Sequence, residues 1–338
     1  MISIITPNYN RADLIKEAAN SIFKQSSKDW EWIIVDDGST DNSWQFLQTL
    51  SSKDARVKVY QRDRLPKGAP TCRNIGIDKS IGEYLIFLDS DDLLASFCIE
   101  QRLKAAQEHP DTDMLIFPML LFRDHPDDTR LLWNIDKEMD DATRVMIGDA
   151  ICQTTGPLWR RQTLINIGKW DEELLLWQDV ELHLRAFMNK VSYKKLMNLS
   201  PDIFIRLSDV SISRTGFNSL PKIKSRIKVF KSSLKLAIEV GTQEMYNKGL
   251  GQMGFDLICS TIFNNHIKEA KELLNYEHRY NLFSTSDKSK LKLYYWAKRL
   301  KLYKLPLLQK LAVRPTSNRF LGSTNTLGNI KYTEEIKI

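Results

Sequence analysis

Three carboxylates within four residues, Asp89, Asp91 and Asp92, follow directly on the apolar run 84–88. Acids crowded this closely repel one another unless positive charge sits among them. Their hard oxygens suit Mg²⁺ or Mn²⁺, which fill their remaining positions with water and substrate phosphates. The competing reading is that residues 90–92 only cap a helix beginning near Ser96. A second acidic pair, Asp36 and Asp37, follows the apolar run 32–35 and precedes Gly38. An ionised carboxylate only accepts hydrogen bonds, which suits the imide N–H of a uracil or thymine base, although Asp before Gly is also plain turn chemistry. Farther on, Asp179 and His183 stand one helical turn apart on a shared face. An acid there can take a proton from a substrate hydroxyl or simply favour a helix N-terminus.

The elements that must carry these residues are legible as alternating runs. Short apolar stretches that stop at polar residues read as buried strands, and ligands in open α/β sheets bind beyond the strands' carboxyl ends. Residues 1–5, 32–35, 57–60 and 84–88 are such runs. Between the first two, Leu14, Ile15, Ala18, Ala19, Ile22 and Phe23 recur at helical spacing, and Trp44, Phe46, Leu47 and Leu50 mark a second helix that Asp41 or Thr40 would cap. The β-α-β-α-β order predicts a parallel sheet with helices on both faces. Gly68 and Pro70 open a further helical stretch carrying Arg73, whose planar fork matches phosphate oxygens.

The motifs and their order resemble the inverting glycosyltransferases of family two, with a GT-A fold. Thr6-Pro7-Asn8-Tyr9-Asn10 is similar to that family's opening loop, residues 35–41 to its VDDGSTD turn, Arg73-Asn74-Ile75-Gly76 to its RNxG segment, and Asp89-Ser90-Asp91 to its DxD motif. The resemblance implies a Rossmann-like α/β domain with a mixed, mostly parallel sheet, over roughly two thirds of the chain, followed by a C-terminal helical extension. It implies that Thr6, Pro7, Tyr9, Asp37, Arg73 and Asp89 hold the nucleotide, that Asp91, assisted by Asp92, carries Mn²⁺ or Mg²⁺, and that Asp179 is the base. Gln178 stands where that family commonly has an acid, and residues 156–161 are similar to a segment on the acceptor side, so Trp159, Gln178 and His183 are assigned there. Trp159 can stack on a sugar or pack in the core. One departure is Ser208, found two residues after Arg206 where the family often has a histidine, with Ser211 and Ser213 beyond it. The implied activity moves a sugar from a nucleotide sugar, a UDP-sugar for choice, to a hydroxyl of a saccharide or lipid-linked saccharide in cell-surface polysaccharide assembly. The QxxRW motif of processive members is missing, which favours one linkage per encounter. A catalytically silent sugar-nucleotide-binding scaffold is the alternative. A nucleotidyltransferase is disfavoured because no Gly-rich basic loop lies between Ile5 and Asp13.

Size and charge bound the rest. A chain of 338 residues can hold one α/β core plus an appendage, and we expect a domain over 1–218, its nucleotide half 1–112 and acceptor half 113–218, then helices over 219–312 and a poorly ordered tail over 313–338. Gly249, Gly251 and Gly254 are expected at turns or close contacts between helices. Cys72, Cys98, Cys152 and Cys259 show no pairing pattern and are expected as buried free thiols in a reducing cytosol. The chain opens on a strand, so neither a signal peptide nor a bilayer span is expected. The net charge of +7 is concentrated in residues 288–310, which hold eight Lys and Arg and no acid. On a helical wheel Leu291, Tyr295 and Leu302 share one face and Leu293, Trp296 and Leu300 the other, so this segment can pack inward and touch an anionic membrane surface outward, or be a packed helix with solvated flanks. The implied location is cytoplasmic, peripheral at the inner face of the cell membrane. No nucleic-acid motif accompanies the charge, and an acidic crevice repels phosphates unless metal-loaded, so no nucleic-acid partner is expected.

Overall fold

Runs of β-branched and aromatic residues form the strands, and helices with one apolar stripe close over them. The computed structural model describes residues 1–133, 135–208 and 215–317. The first stretch alternates β1 (Ile2–Asn8), α1 (Leu14–Phe23), β2 (Trp30–Asp36), α2 (Ser43–Lys53), β3 (Val57–Gln61), α3 (Ala69–Lys79) and β4 (Tyr84–Phe87). There follow β5 (Leu93–Leu94), α4 (Cys98–Glu108), β6 (Met114–Ile116), β7 (Met119–Phe122), β8 (Leu131–Leu132), α5 (Asp141–Met146), β9 (Pro157–Arg160) and α6 (Arg161–Asn166). After α7 (Gln178–Met188), β10 (Tyr193–Lys195) and β11 (Ile203–Arg206) the chain turns helical: α8 (Leu220–Glu239), α9 (Gln243–Phe263), α10 (Ile267–Tyr280), α11 (Thr285–Arg299) and two 3₁₀ turns, Leu302–Lys304 and Pro306–Ala312.

Seven strands make the main sheet in the order β10-β6-β9-β4-β1-β2-β3, parallel except for β9, which runs antiparallel to both its neighbours. This is the mixed, mostly parallel sheet flanked by helices that the sequence leads one to expect. Register fixes where its acids go. Asn8 stands beside Asp36, and Ile5 beside Phe87, so β1, β2 and β4 all release their chains at one edge. A smaller sheet, β5-β11-β7-β8, lies just past the acidic turn after β4. It is held there by Arg102 of α4, which forks onto the carboxylate of Asp202 at 2.8 and 2.9 Å with both side chains fully buried.

Two expectations change. Gly249, Gly251 and Gly254 are not at turns: they lie inside α9, where a Cβ at Gly249 would come within 2.7 Å of Met146 Sδ and one at Gly254 within 2.9 Å of Phe230. Gly249 and Gly254 are the close-packing alternative, letting α5 and α8 approach. The helix expected near Ser96 starts at Cys98. All four cysteines are buried free thiols, as expected. Ser211, Ser213 and tail residues 318–338 lie outside the described residues.

Candidate active site

The two acidic residues after β2 divide the labour. Asp36 is fully buried and builds the turn, accepting from the backbone N–H groups of Gly38 and Ser39, from Ser39 Oγ and from Asn8 Nδ2. Asp37 meets Arg62 Nε at 2.5 Å. Arg62, at the end of β3, is a site residue that the sequence reading missed. Tyr9 is partly exposed at the mouth, with Lys67 Nζ 3.5 Å from its ring centroid. Thr6 is corrected here: its side chain is fully buried and its hydroxyl accepts from Trp32 Nε1 at 2.9 Å, so the hydroxyl ties two strands together rather than facing a ligand. Pro7, next along β1, is half-buried at the strand end.

Arg73 joins the two sides of the site. Its guanidinium is almost wholly buried and lies 4.7 Å from the Trp170 ring. Nη2 donates to Asp89 Oδ1 at 2.7 Å and Nη1 to Gln178 Oε1 at 3.1 Å, while Nε has no partner. A buried donor left unsatisfied is costly. The geometry thus brings residue 89, beyond β4, together with residue 178, at the start of α7.

The acidic turn has Arg73 on Asp89 and Arg206 beside Asp91, yet burial still disfavours the charge of its two later acids. Burial, then the nearness of Asp89, pushes the Asp91 carboxyl above the usual carboxylate range. Burial, then Asp91 and Asp89, pushes Asp92 well above it. Asp92 accepts from the Arg206 backbone N–H at 3.0 Å and from Thr155 Oγ1 at 3.2 Å, so both its oxygens are engaged by protein donors. Arg206 also donates from Nε to the Asp91 carbonyl at 3.0 Å. Among the described residues no group of three His, Cys, Asp or Glu side chains is set to cage a metal. What is present is Asp91, whose carboxylate meets no donor from another described residue, with the carboxylate of Asp89 near enough to raise its pKa and that of Asp92 near enough to be raised by it. That donor set fits a hard divalent cation that brings its other ligands with it, as Mg²⁺ does when it is held by one or two carboxylates plus phosphate and water.

On the opposite side, α7 begins at Gln178, and Gln178 Nε2 also donates to the Leu174 carbonyl. Asp179 follows in the first turn, half-buried, its Oδ1 accepting from the Val180 N–H at 2.9 Å. Two acceptor-side assignments are corrected. Trp159 lies in the middle of the main sheet, paired with Leu85 and Met114 and wholly buried, and His183 is 1% exposed and stacked on it at 6.1 Å. Both are core residues, because β9 inserts between β4 and β6 and α7 covers it. Burial pushes the His183 imidazole down to about 4, despite the opposing pull of Asp179. Gln178 remains at the site through Arg73.

Comparison with known proteins bears on family and fold. The family described as Glycosyl transferase family 2 matches residues 3–168. A putative teichuronic acid biosynthesis glycosyltransferase of Bacillus subtilis, TuaG, is 38% identical over 108 residues, 32% of this chain and 42% of that protein. A GalNAc(5)-diNAcBac-PP-undecaprenol beta-1,3-glucosyltransferase of Campylobacter jejuni is 36% identical over 107 residues, 32% of this chain and 35% of its own length. The chain thus spans less than half the length of these curated relatives. The structure of residues 1–349 of Staphylococcus aureus TarS, in complex with UDP-GlcNAc, has a TM-score of 0.59 at 17% identity, covering 89% of this chain and 92% of that one. That likeness gives the fold.

Proposed function

Residues 3–168 are a glycosyl transferase family 2 domain on a GT-A fold, and from that premise we propose that the chain transfers a sugar with inversion from a nucleotide sugar, a UDP-sugar, to a hydroxyl of a saccharide or lipid-linked saccharide. One linkage forms per encounter, in the assembly of a cell-surface polysaccharide. The observation that carries this reading is Arg73, whose two arms hold Asp89 and Gln178 and so set the acidic turn against the helix start that bears Asp179. Asp37 and Arg62 bind the base, Tyr9 and Pro7 flank it, and Asp89 with Arg73 approaches the ribose and phosphates. Thr6 contributes by shaping the end of β1. Asp91, with Asp92 beside it, would hold Mg²⁺ or Mn²⁺, and the cation would supply charge neutralisation on the diphosphate leaving group. Asp179 accepts the proton of the attacking hydroxyl while the diphosphate departs from the other face of the sugar. The test measures UDP release from a panel of UDP-sugars with Mg²⁺ or Mn²⁺. Asp179→Asn should keep UDP affinity while turnover falls by about 10²-fold or more, and Asp91→Ala should lose metal-dependent UDP binding. Full turnover in Asp179→Asn would reject the base.

The reading includes contact with the inner face of an anionic membrane through residues 288–310. In support, α11 turns Leu291, Tyr294, Tyr295 and Ala297 inward, while Leu293, Trp296 and Leu300, at i, i+3 and i+7, are 52%, 43% and 60% exposed on its outer face. Lys292, Lys301, Lys304 and Lys310 have no carboxylate partner among the described residues. No described helix is long and apolar enough to cross a membrane. An exposed apolar stripe with Lys292 on the same helix and Lys301, Lys304 and Lys310 following it matches a bilayer with negative headgroups, each cation contributing about 1 kcal/mol near such a surface. Sedimentation with phosphatidylglycerol vesicles should carry the protein down, and with phosphatidylcholine vesicles should not. Equal partition to both, or none, rejects the contact.

A further inference from the structure

The base helix is aimed by a loop that the helical extension grips. Trp177, immediately before α7, has φ 62 and ψ 34, a left-handed backbone that a bulky residue holds only where its surroundings impose it. Those surroundings come from α8. Ser225 Oγ accepts from the N–H groups of Leu175 and Leu176, both at 3.1 Å, and donates to the Leu176 carbonyl at 2.8 Å. The Arg226 guanidinium, in a side chain only 3% exposed, lies 5.6 Å from the Trp177 ring and 4.2 Å from Phe217, and reaches the Phe217 carbonyl and Asn218 Oδ1 at 3.3 Å. Lys228 completes the grip on Asp171 and Glu173.

Arg226 has no carboxylate partner among the described residues, and its Nε is unsatisfied. Burial lowers its pKa only to about 10, so at neutral pH it is a buried cation with aromatic faces in place of an anion. Isolated buried charge is unfavourable and is not explained by simple packing. We infer that Ser225 and Arg226 are positioning residues for the proposed base: they fix residues 175–177 so that Gln178 meets Arg73 and Asp179 faces the acceptor hydroxyl. The inference rests on the assignment of Asp179 above. It extends the working unit past residue 168 into the C-terminal helices, because a displacement of about 1 Å at a reacting group can cost on the order of 10²-fold in rate.

The test compares full-length Arg226→Met, Arg226→Lys and Ser225→Ala with the parent. Circular dichroism and thermal melts establish that each is folded. UDP binding in the presence of Mn²⁺ is followed by calorimetry, turnover by UDP release from UDP-glucose and UDP-N-acetylglucosamine, and loop order by amide hydrogen exchange. We expect UDP affinity within about twofold, turnover reduced about tenfold or more in Arg226→Met with partial recovery in Arg226→Lys, and a several-fold reduction in Ser225→Ala. Amides of residues 175–181 should exchange about tenfold faster while those of α3 are unchanged. Unchanged exchange at 175–181 in the folded variants overturns the grip, as does parental turnover in both Arg226→Met and Ser225→Ala. Asp179→Asn, run alongside, separates the two ideas: activity there removes the base, whereas the exchange result judges the grip alone.

Discussion

Replacing Arg73 by Met is the most direct probe of how the two sides of the site are joined. The substitution keeps much of the buried chain but removes the charge-assisted bond to Asp89 at 2.7 Å, the bond to Gln178 at 3.1 Å and the contact with the Trp170 ring at 4.7 Å. A hydrogen bond between two charged groups is worth about 1.5–3 kcal/mol, and one from the guanidinium to the neutral Gln178 amide about 1–1.5. Asp89 is 33% exposed and regains water when its partner leaves, so the lower end of the first range applies. The ring contact adds about 0.5–1 kcal/mol. Arg73→Met should therefore cost about 3 kcal/mol, a large share of a domain's usual 5–15. A double-mutant cycle with Asp89→Asn should return a coupling of about 1.5 kcal/mol by urea denaturation, and one with Gln178→Leu about 1. Because Arg73 is only 5% exposed, high salt should leave most of the Asp89 coupling in place. A coupling with Asp89 below about 0.5 kcal/mol would refute the bridge, since distant sites already scatter by that much.

The remaining predictions concern the scaffold. A Cβ at Gly76 would lie 2.4 Å from Ile5 Cγ2, so Gly76→Ala forces α3 away from β1 and should cost about 1–2 kcal/mol despite alanine's helix preference, which a lowered melting temperature would register. His183 titrates near 4 in the folded chain and near 6.5 when unfolded. Between those values only the unfolded chain binds the proton, so the contribution is complete above pH 6.5 and is lost as pH falls toward 4, by up to about 3 kcal/mol. His183→Gln should flatten that slope in urea midpoints compared at pH 7.5 and pH 5, and parallel slopes would show that the imidazole is not the cause.

Much of the frame was legible because apolar runs that stop at polar residues leave few alternatives: β1, β2 and β4 fall where the runs stop, and parallel register then gathers their ends. Side-chain direction was harder to read. Thr6 and Trp159 are of types that serve ligands or cores equally well, and only the pairing of β1 with β2, and the insertion of β9 between β4 and β6, sends them inward. In α3, residues 70–77 are buried on every side, so no periodicity indicated that Arg73 would turn toward Gln178. Arg62 carried a faint signal, being a cation at the end of the third apolar run. Ser225 and Arg226 lie about 50 residues from the loop they hold and had no spacing to betray them. For the glycines of α9 the sequence left turns and close contacts open, and the helix settles it, with Gly249 and Gly254 allowing close approach to Met146 and Phe230.

The fully enclosed Arg102–Asp202 pair ties together the two elements that flank the acidic turn. One anchor stands on the helix leaving that turn and the other just ahead of the strand whose Arg206 steadies it. The turn's backbone is thus secured by a pair outside the acidic cluster and by main-chain and Asp92 bonds, none of which uses the Asp91 carboxylate.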